Sequence, residues 1–178
     1  MNEIKPTKSI GVRTPLVDGP EKVSGKALYS ADFNPSDCLV GRIFRSPVSH
    51  AEIIDVDISA AQALPGVKAV ITGDETDETF GILPVARFEY PLARDKVRYK
   101  GEPVACVAAI DVETAQKAID LIKFKYKELP AYFTSQEAMA EGAVYIHDHR
   151  EGNIEREVDF ELGEVDEGFE AADFIMEE

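Results

Sequence analysis

Residues 103–110, PVACVAAI, constrain this chain more than any other stretch. A half-exposed strand alternates apolar with polar side chains; this run is continuously apolar and built of small residues, so it reads as a buried central strand. Such a strand needs a neighbour on each edge. Asp111 follows as an N-cap, with Glu113 in the first turn, where the helix dipole favours negative charge. In VETAQKAIDLI, Val112, Ala115, Ala118, Ile119 and Ile122 make one apolar stripe at helical spacing. The chain returns as KFKYKE, with Phe124 and Tyr126 facing in and Lys123, Lys125 and Lys127 facing out. Residues 103–128 are thus a strand-helix-strand unit.

A similar unit precedes it. EIIDVDI (52–58) places Ile54, Val56 and Ile58 on one face, Ser59 caps a short helix AAQAL, and Pro65-Gly66 stops that helix before the strand VKAVIT (67–72). Upstream, KALYSADF (26–33) and LVGRIFRS (39–46) read as an antiparallel pair around the turn-rich NPSDC. Between the units, Val97 and Tyr99 alternate with Lys96, Arg98 and Lys100 as on a half-exposed strand. Downstream, Thr134 and Glu137 have capping-box spacing for a helix closed by Gly142. NIEREVDFELG (153–163) alternates as a strand does, EVDEGFEAAD (164–173) reads as a short acidic helix, and DFIMEE (173–178) begins a further strand. The expected fold class is α+β, a mixed sheet with short strand-helix-strand units. The echo between IDVD (54–57) and IDVE (110–113) is not a repeat, because one lies in a strand and the other enters a helix.

Charge excludes some functions. The formal charge is -15, and residues 151–178 hold twelve acidic side chains against one arginine. Nothing supplies the concentrated basic patch that phosphate neutralisation needs, so nucleic-acid binding is disfavoured and the acidic end reads as a solvated face or partner contact. No apolar run approaches the length of a membrane span, and MNEIKPTKSIGVRTP lacks the apolar core of a secretory signal, which predicts a cytoplasmic protein. Cys38 in a polar loop and Cys106 in an apolar run predict no disulfide. Two cysteines without CxxC spacing are too few for an iron-sulfur cluster or a closed zinc site.

The candidates for chemistry each have a simpler explanation. Phosphate-loop, dinucleotide, hydrolase-elbow and zinc-protease motifs are absent. GDETDETFG (73–81) suggests calcium, yet from Asp74 the sixth and twelfth positions are Thr79 and Val85, where an EF-hand needs Gly and Glu, so a solvated loop fits better. His147 and His149 would share one strand face and present two nitrogens to a metal, but Asp148 points the other way and nothing completes the shell, so a loop-edge pair is preferred to a metal site. His50, with no nucleophile in sight, reads as a structural hydrogen-bonding residue. Arg94, Lys96, Arg98 and Lys100 could take an anion such as a phosphate-bearing coenzyme; an alternating solvated strand face, with Asp95 among them, is preferred. The chain therefore carries no assigned catalytic, cofactor-binding or metal residue.

Taken in order, VDGPEKVSGKALYSAD (17–32), GRIFRSP (41–47), DISAAQALPGVKAVITGDE (57–75) and PLARDKVRYKGEPVACVAAIDVETAQKAIDLIKFKYKELPA (91–131) resemble the N-terminal segment of the molybdenum-binding large subunit in the xanthine dehydrogenase and aldehyde oxidase family. Within it, FGILPVARFEYPLARDKVRY (80–99) and ELPAYFTSQEAM (128–139) are most similar to the alpha subunit of 4-hydroxybenzoyl-CoA reductase. The resemblance implies an extended arm at 1–18, an α/β-hammerhead domain at 19–150, and at 151–178 the acidic start of a molybdopterin-binding region, broken off within an element. It also implies an oxidoreductase holoenzyme acting on an aromatic or aldehyde-like substrate. Molybdopterin cytosine dinucleotide would be held by later sequence, and iron-sulfur clusters and FAD by other subunits or domains. This segment would be a scaffold, inactive alone. Many relatives read Pro-His-Ala-His-Ala-Arg where this chain has PVSHAE (47–52), so Val48 and Glu52 replace a His and an Arg. The competing expectation is a free-standing accessory or assembly protein with the same fold and no active site.

Overall fold

The computed structural model describes residues 11, 13–33, 35–83 and 87–177. Most of the expected arm at 1–18 therefore lies outside the described residues, as does Val85. The chain divides into two compact units, Met1–Leu39 and Val40–Glu178.

In the first unit, α1 (Gly19–Val23) starts with Pro20, whose fixed φ suits a first helical turn. Residues 26–33, expected as a strand, form instead a coil and a 3₁₀ turn, Ser30–Asp32, where the Asp32 carboxylate accepts from the Tyr29 N–H at 2.8 Å. That local side-chain bond satisfies the backbone in place of a ladder.

The second unit is built on β1 (Val40–Arg45), β2 (Ala51–Asp57), α2 (Ser59–Gln62), β3 (Val67–Thr72), β4 (Lys96–Val97), β5 (Pro103–Ala109), α3 (Val112–Leu121), β6 (Lys123–Glu128), α4 (Ser135–Met139) and α5 (Val165–Glu170). The α+β class is as expected, but the strands divide into two antiparallel sheets, β1-β5-β3 and β4-β2-β6, rather than one mixed sheet. β1 pairs with β5, not with residues 26–33. Each strand-helix-strand unit crosses between sheets: β2-α2-β3 leaves the second for the first, and β5-α3-β6 returns.

β5 is the central strand its composition predicts. Val104, Ala105, Val107 and Ala109 are fully buried; the last three pack with Ala115 and Ala118 of α3, Ile122 just after it, Ala61 of α2 and Val70 of β3, while Val104 joins a second cluster with Ala51, Ala93 and Val97. Alanines let helix and sheet approach closely; each buried valine stabilises by about 1.5–3 kcal/mol. Asp111 caps α3 by accepting from the Thr114 N–H at 2.7 Å, while Val112 turns to solvent, 52% exposed, because it sits at the helix start beyond the sheet contact. Gly66 has φ +95°, its carbonyl accepts from Ile110 N–H, and an added Cβ would meet Ile110 at 3.0 Å, so the α2-β3 turn excludes larger residues.

Val56 and Ile58 pack inward as expected, but Ile54 does not. A register shift between Ile53 and Asp55 inserts a bulge, so Ile53 joins the core cluster and Ile54 is 62% exposed. Ser59 opens α2 without capping it; the Asp57 carboxylate does that work, accepting from the Ser59 N–H at 3.0 Å and its hydroxyl at 2.5 Å. β6 behaves as expected, with Phe124 and Tyr126 half-buried and the three lysines exposed. In α4 the Thr134 hydroxyl accepts from Glu137 N–H at 3.2 Å, and the Glu137 carboxylate reaches Phe133 N–H. Residues 153–163 and 173–177 form no strand, and residues 154–177 are all exposed, so their alternation has no sheet to pair with among the described residues. α5 lies at the predicted acidic helix.

Candidate functional site

Three polar residues are buried among those described: Ser46, His50 and Lys96. All three gather around the second sheet's outer strand β4 and the turn that follows it. Ser46 directly follows β1; its N–H donates to the Glu102 carbonyl at 2.9 Å, and its carbonyl accepts from Gly101 N–H at 2.9 Å. Arg45 adds a bond to the Gly101 carbonyl at 2.8 Å. These contacts fix the Tyr99–Pro103 turn, whose Gly101 has φ +92°.

His50 is 4% exposed, and its Nδ1 donates to the Pro130 carbonyl at 2.6 Å, the structural role the sequence suggests. Its buried Nε2 has no partner among the described residues. In PVSHAE, Val48 packs into the second core cluster and Glu52 pairs with Lys127 at 3.2 Å, so the two departures from the family pattern both have local work.

Lys96 and Arg98 overturn the solvated-face expectation. β4 is only two residues long, and the segment 145–148 lies against it. Lys96 is 8% exposed; its Nζ donates to the Asp148 carboxylate at 2.7 Å and the Tyr145 carbonyl at 3.1 Å. The Lys96 bond holds the Asp148 carboxyl below its ordinary value. Arg98 is half-buried, donating from Nε to the Ile146 carbonyl at 3.0 Å and from Nη1 to the Lys96 carbonyl at 3.1 Å. The alternation misleads because Tyr99, on the face expected to point inward, is 56% exposed. Lys100 is exposed as expected; Arg94 pairs loosely with Asp77 at 3.5 Å and stacks on Tyr90 at 5.0 Å.

His147 and His149 do come together, though in a bend and turn instead of a strand. Phe88 sets their spacing, its ring centroid 5.1 Å from His147 and 4.5 Å from His149, with the two imidazoles 5.7 Å apart. Burial lowers the His147 pKa, and the charges of Arg98 and His149 lower it further. No group of three metal-ligating side chains occurs among the described residues. The acidic loop also closes on itself: Glu75 accepts from Thr72 N–H and hydroxyl at 2.8 and 2.7 Å in a 3₁₀ turn. Cys38 and Cys106 are both free.

These pieces border a groove of ≈ 690 Å³. Phe80, Phe88, Tyr90 and Tyr99 give it aromatic walls, and Arg94, Arg98, His147 and His149 line it with nitrogen donors. Carboxylates of Glu89, Asp95 and Glu102 share the lining. Burial raises the Glu102 pKa, against the Arg98 N–H bond, the Arg98 charge and the Tyr99 N–H bond, which lower it. Two residues that build the site are invisible to periodicity. Phe88 is one. Asn153 is the other, at φ +58°, donating to the carbonyls of Ala138 and Val144 and accepting from Ile146 N–H, thereby shaping the 138–153 segment. The Gly-Asn pair at 152–153 is its one sequence signal.

Residues 24–130 match the family model described as aldehyde oxidase and xanthine dehydrogenase, a/b hammerhead domain. The nicotinate dehydrogenase large molybdopterin subunit of Eubacterium barkeri is 37% identical over 95% of this chain and 39% of that protein. The xanthine dehydrogenase molybdenum-binding subunit of Escherichia coli O157:H7 is 30% identical over 90% of this chain and 22% of that protein. Among solved structures, quinoline 2-oxidoreductase from Pseudomonas putida 86 superposes with a TM-score of 0.69 at 36% identity, over 80% of this chain and 19% of the other. Aldehyde oxidoreductase from Desulfovibrio gigas gives 0.68 at 31%, over 76% and 16%. The chain thus spans between about a sixth and two fifths of the length of these proteins. Matched through both of its sheets and both crossings, it belongs to the aldehyde oxidase and xanthine dehydrogenase family, whose α/β-hammerhead domain it carries.

Proposed function

We propose that this chain is the hammerhead part of the large subunit of a molybdenum hydroxylase, a scaffold for the molybdopterin-binding region that does no chemistry alone. One observation carries the reading: a match across residues 24–130 in a chain that spans only 39% and 22% of two relatives named as molybdopterin or molybdenum-binding subunits. Bound molybdopterin would supply a two-electron redox centre. The described side chains do not fit its metal directly: no three metal-ligating side chains converge among them. The reading therefore places the cytosine dinucleotide form on polypeptide beyond this chain, iron-sulfur clusters and FAD on further subunits or domains, and the holoenzyme in the cytoplasm.

In this reading residues 1–18 are an arm, 19–150 the hammerhead domain, and 151–178 the entry to the cofactor-binding region. The exposed apolar side chains Val158, Phe160 and Leu162 support a packing role for that last segment. The substrate class is an aromatic or aldehyde-like carbon centre, with 4-hydroxybenzoyl-CoA reductase as the specific member, on the strength of residues 80–99 and 128–139. The test is metal analysis and dye-linked turnover of these 178 residues purified alone. The expected result is folded protein without molybdenum or turnover; stoichiometric molybdenum with turnover would overturn the division of labour.

A further inference from the structure

We infer that the groove beside β4 is a binding site for a small planar aromatic carboxylate. Arg98 is the anchor of the site. Its guanidinium is half-buried and tied by Nε and Nη1 to two neutral carbonyls, at 3.0 and 3.1 Å, and no ion pair with a carboxylate forms among the described residues. Glu102 and Asp148 act on this partly desolvated charge without forming an ion pair with it, so it retains attraction for an anion, and the two carbonyl bonds hold the fork rigid so that little entropy is lost when Nη2 engages one. The neighbouring carboxylate does not fill that role: Glu102 is occupied by the Arg98 backbone N–H, and burial draws it toward its neutral form.

The walls add the second half of the specificity. Phe88 and Tyr90 line the same groove, with Arg94 over the Tyr90 ring at 5.0 Å, Arg150 over the Phe88 ring at 5.4 Å, and His147 and His149 in T-shaped contact with Phe88. Rings held in place by such contacts are a stacking surface for a planar ligand, worth about 0.5–1.5 kcal/mol per aromatic pair. The volume of ≈ 690 Å³ admits a molecule of one or two rings. A bare inorganic anion would use the guanidinium and leave the walls unfilled.

The whole chain is titrated with benzoate while the His147 and His149 ring-proton resonances are followed by NMR. The expected result is a saturable shift of both below about 10 mM, with cyclohexanecarboxylate about fivefold weaker and Arg98→Gln about tenfold weaker. Arg94→Gln, at an exposed pair, is the second variant and is expected to weaken binding about threefold, so the inference stays testable if Arg98→Gln unfolds. No saturable shift with the folded chain would overturn it. So would inorganic phosphate binding as tightly as benzoate, a folded Arg98→Gln binding benzoate like the unaltered chain, or, where Arg98→Gln unfolds, Arg94→Gln doing so.

Discussion

The two sheets of this domain are held by different physics. In β1-β5-β3 the interior is alanine, valine and isoleucine with no buried polar side chain in its cluster. In β4-β2-β6 the apolar cluster is four residues, Ala51, Ala93, Val97 and Val104, and Ser46, His50 and Lys96 are buried around it. The first sheet is stabilised by close packing, which tolerates neither charge nor added volume. The second depends on hydrogen bonds between groups far apart in sequence, such as Lys96 to Asp148 and Arg98 to Ile146. A mutation's effect should therefore depend on which sheet it enters.

Val107→Asp breaks the comparison most sharply. Val107 is 0% exposed at the centre of β5, with no donor in its cluster to meet a carboxylate. The expected loss exceeds about 4 kcal/mol, seen as disappearance of the cooperative thermal transition. A transition that survived with a modest shift would mean that the first sheet admits water. Asp148→Ala strikes the second sheet and has a smaller effect. Lys96 would keep the Tyr145 carbonyl but lose its only ion pair among the described residues. Because the Asp148 side chain is 74% exposed, water screens the pair, and the expected cost is about 1–2 kcal/mol, below that of a fully buried pair. Lys96→Met, which removes the buried charge and keeps the stem, should cost less than Asp148→Ala; equal losses in chemical denaturation would show that packing of the stem dominates.

The same division decided what the sequence could disclose. The first sheet was legible because PVACVAAI, the Asp111 cap and the stripe Ala115, Ala118, Ile122 all report on local geometry. The bulge in β2 was not, since nothing in EIIDVDI marks where the ladder slips, and one extra residue exchanged Ile54 for Ile53. The candidate site was legible only as a set of cations. Which of them turn inward is decided by the 145–148 segment, about 50 residues downstream of β4, and alternation carries no information about contacts of that separation. His147 and His149 were paired correctly for the wrong reason, as Phe88 and not a strand brings them together.

Within the second sheet, Glu102 and Asp148 give the pH response opposite signs, which sharpens the comparison at the smallest energy. Asp148 has a lowered native pKa, so its contribution is present above its ordinary value of 3.8 and is lost as pH falls through the native one. Glu102 has a raised native pKa, so its contribution is complete below its ordinary value of 4.5 and is lost as pH rises through the native one. Glu102→Gln keeps an oxygen to accept the Arg98 N–H and removes the ionisation. The variant should match the unaltered chain below pH 4.5 and be more stable near neutrality, measured by urea unfolding at both pH values. Lower stability of Glu102→Gln near neutrality would mean that the ionised carboxylate is held by Arg98 and His50 strongly enough to offset its burial. Asp57 and Asp111, at the starts of the helices that cover the first sheet, are lowered by Ser59 and Thr114 as Asp148 is by Lys96, so the slope of the Glu102 sign belongs to the second sheet among the described carboxylates.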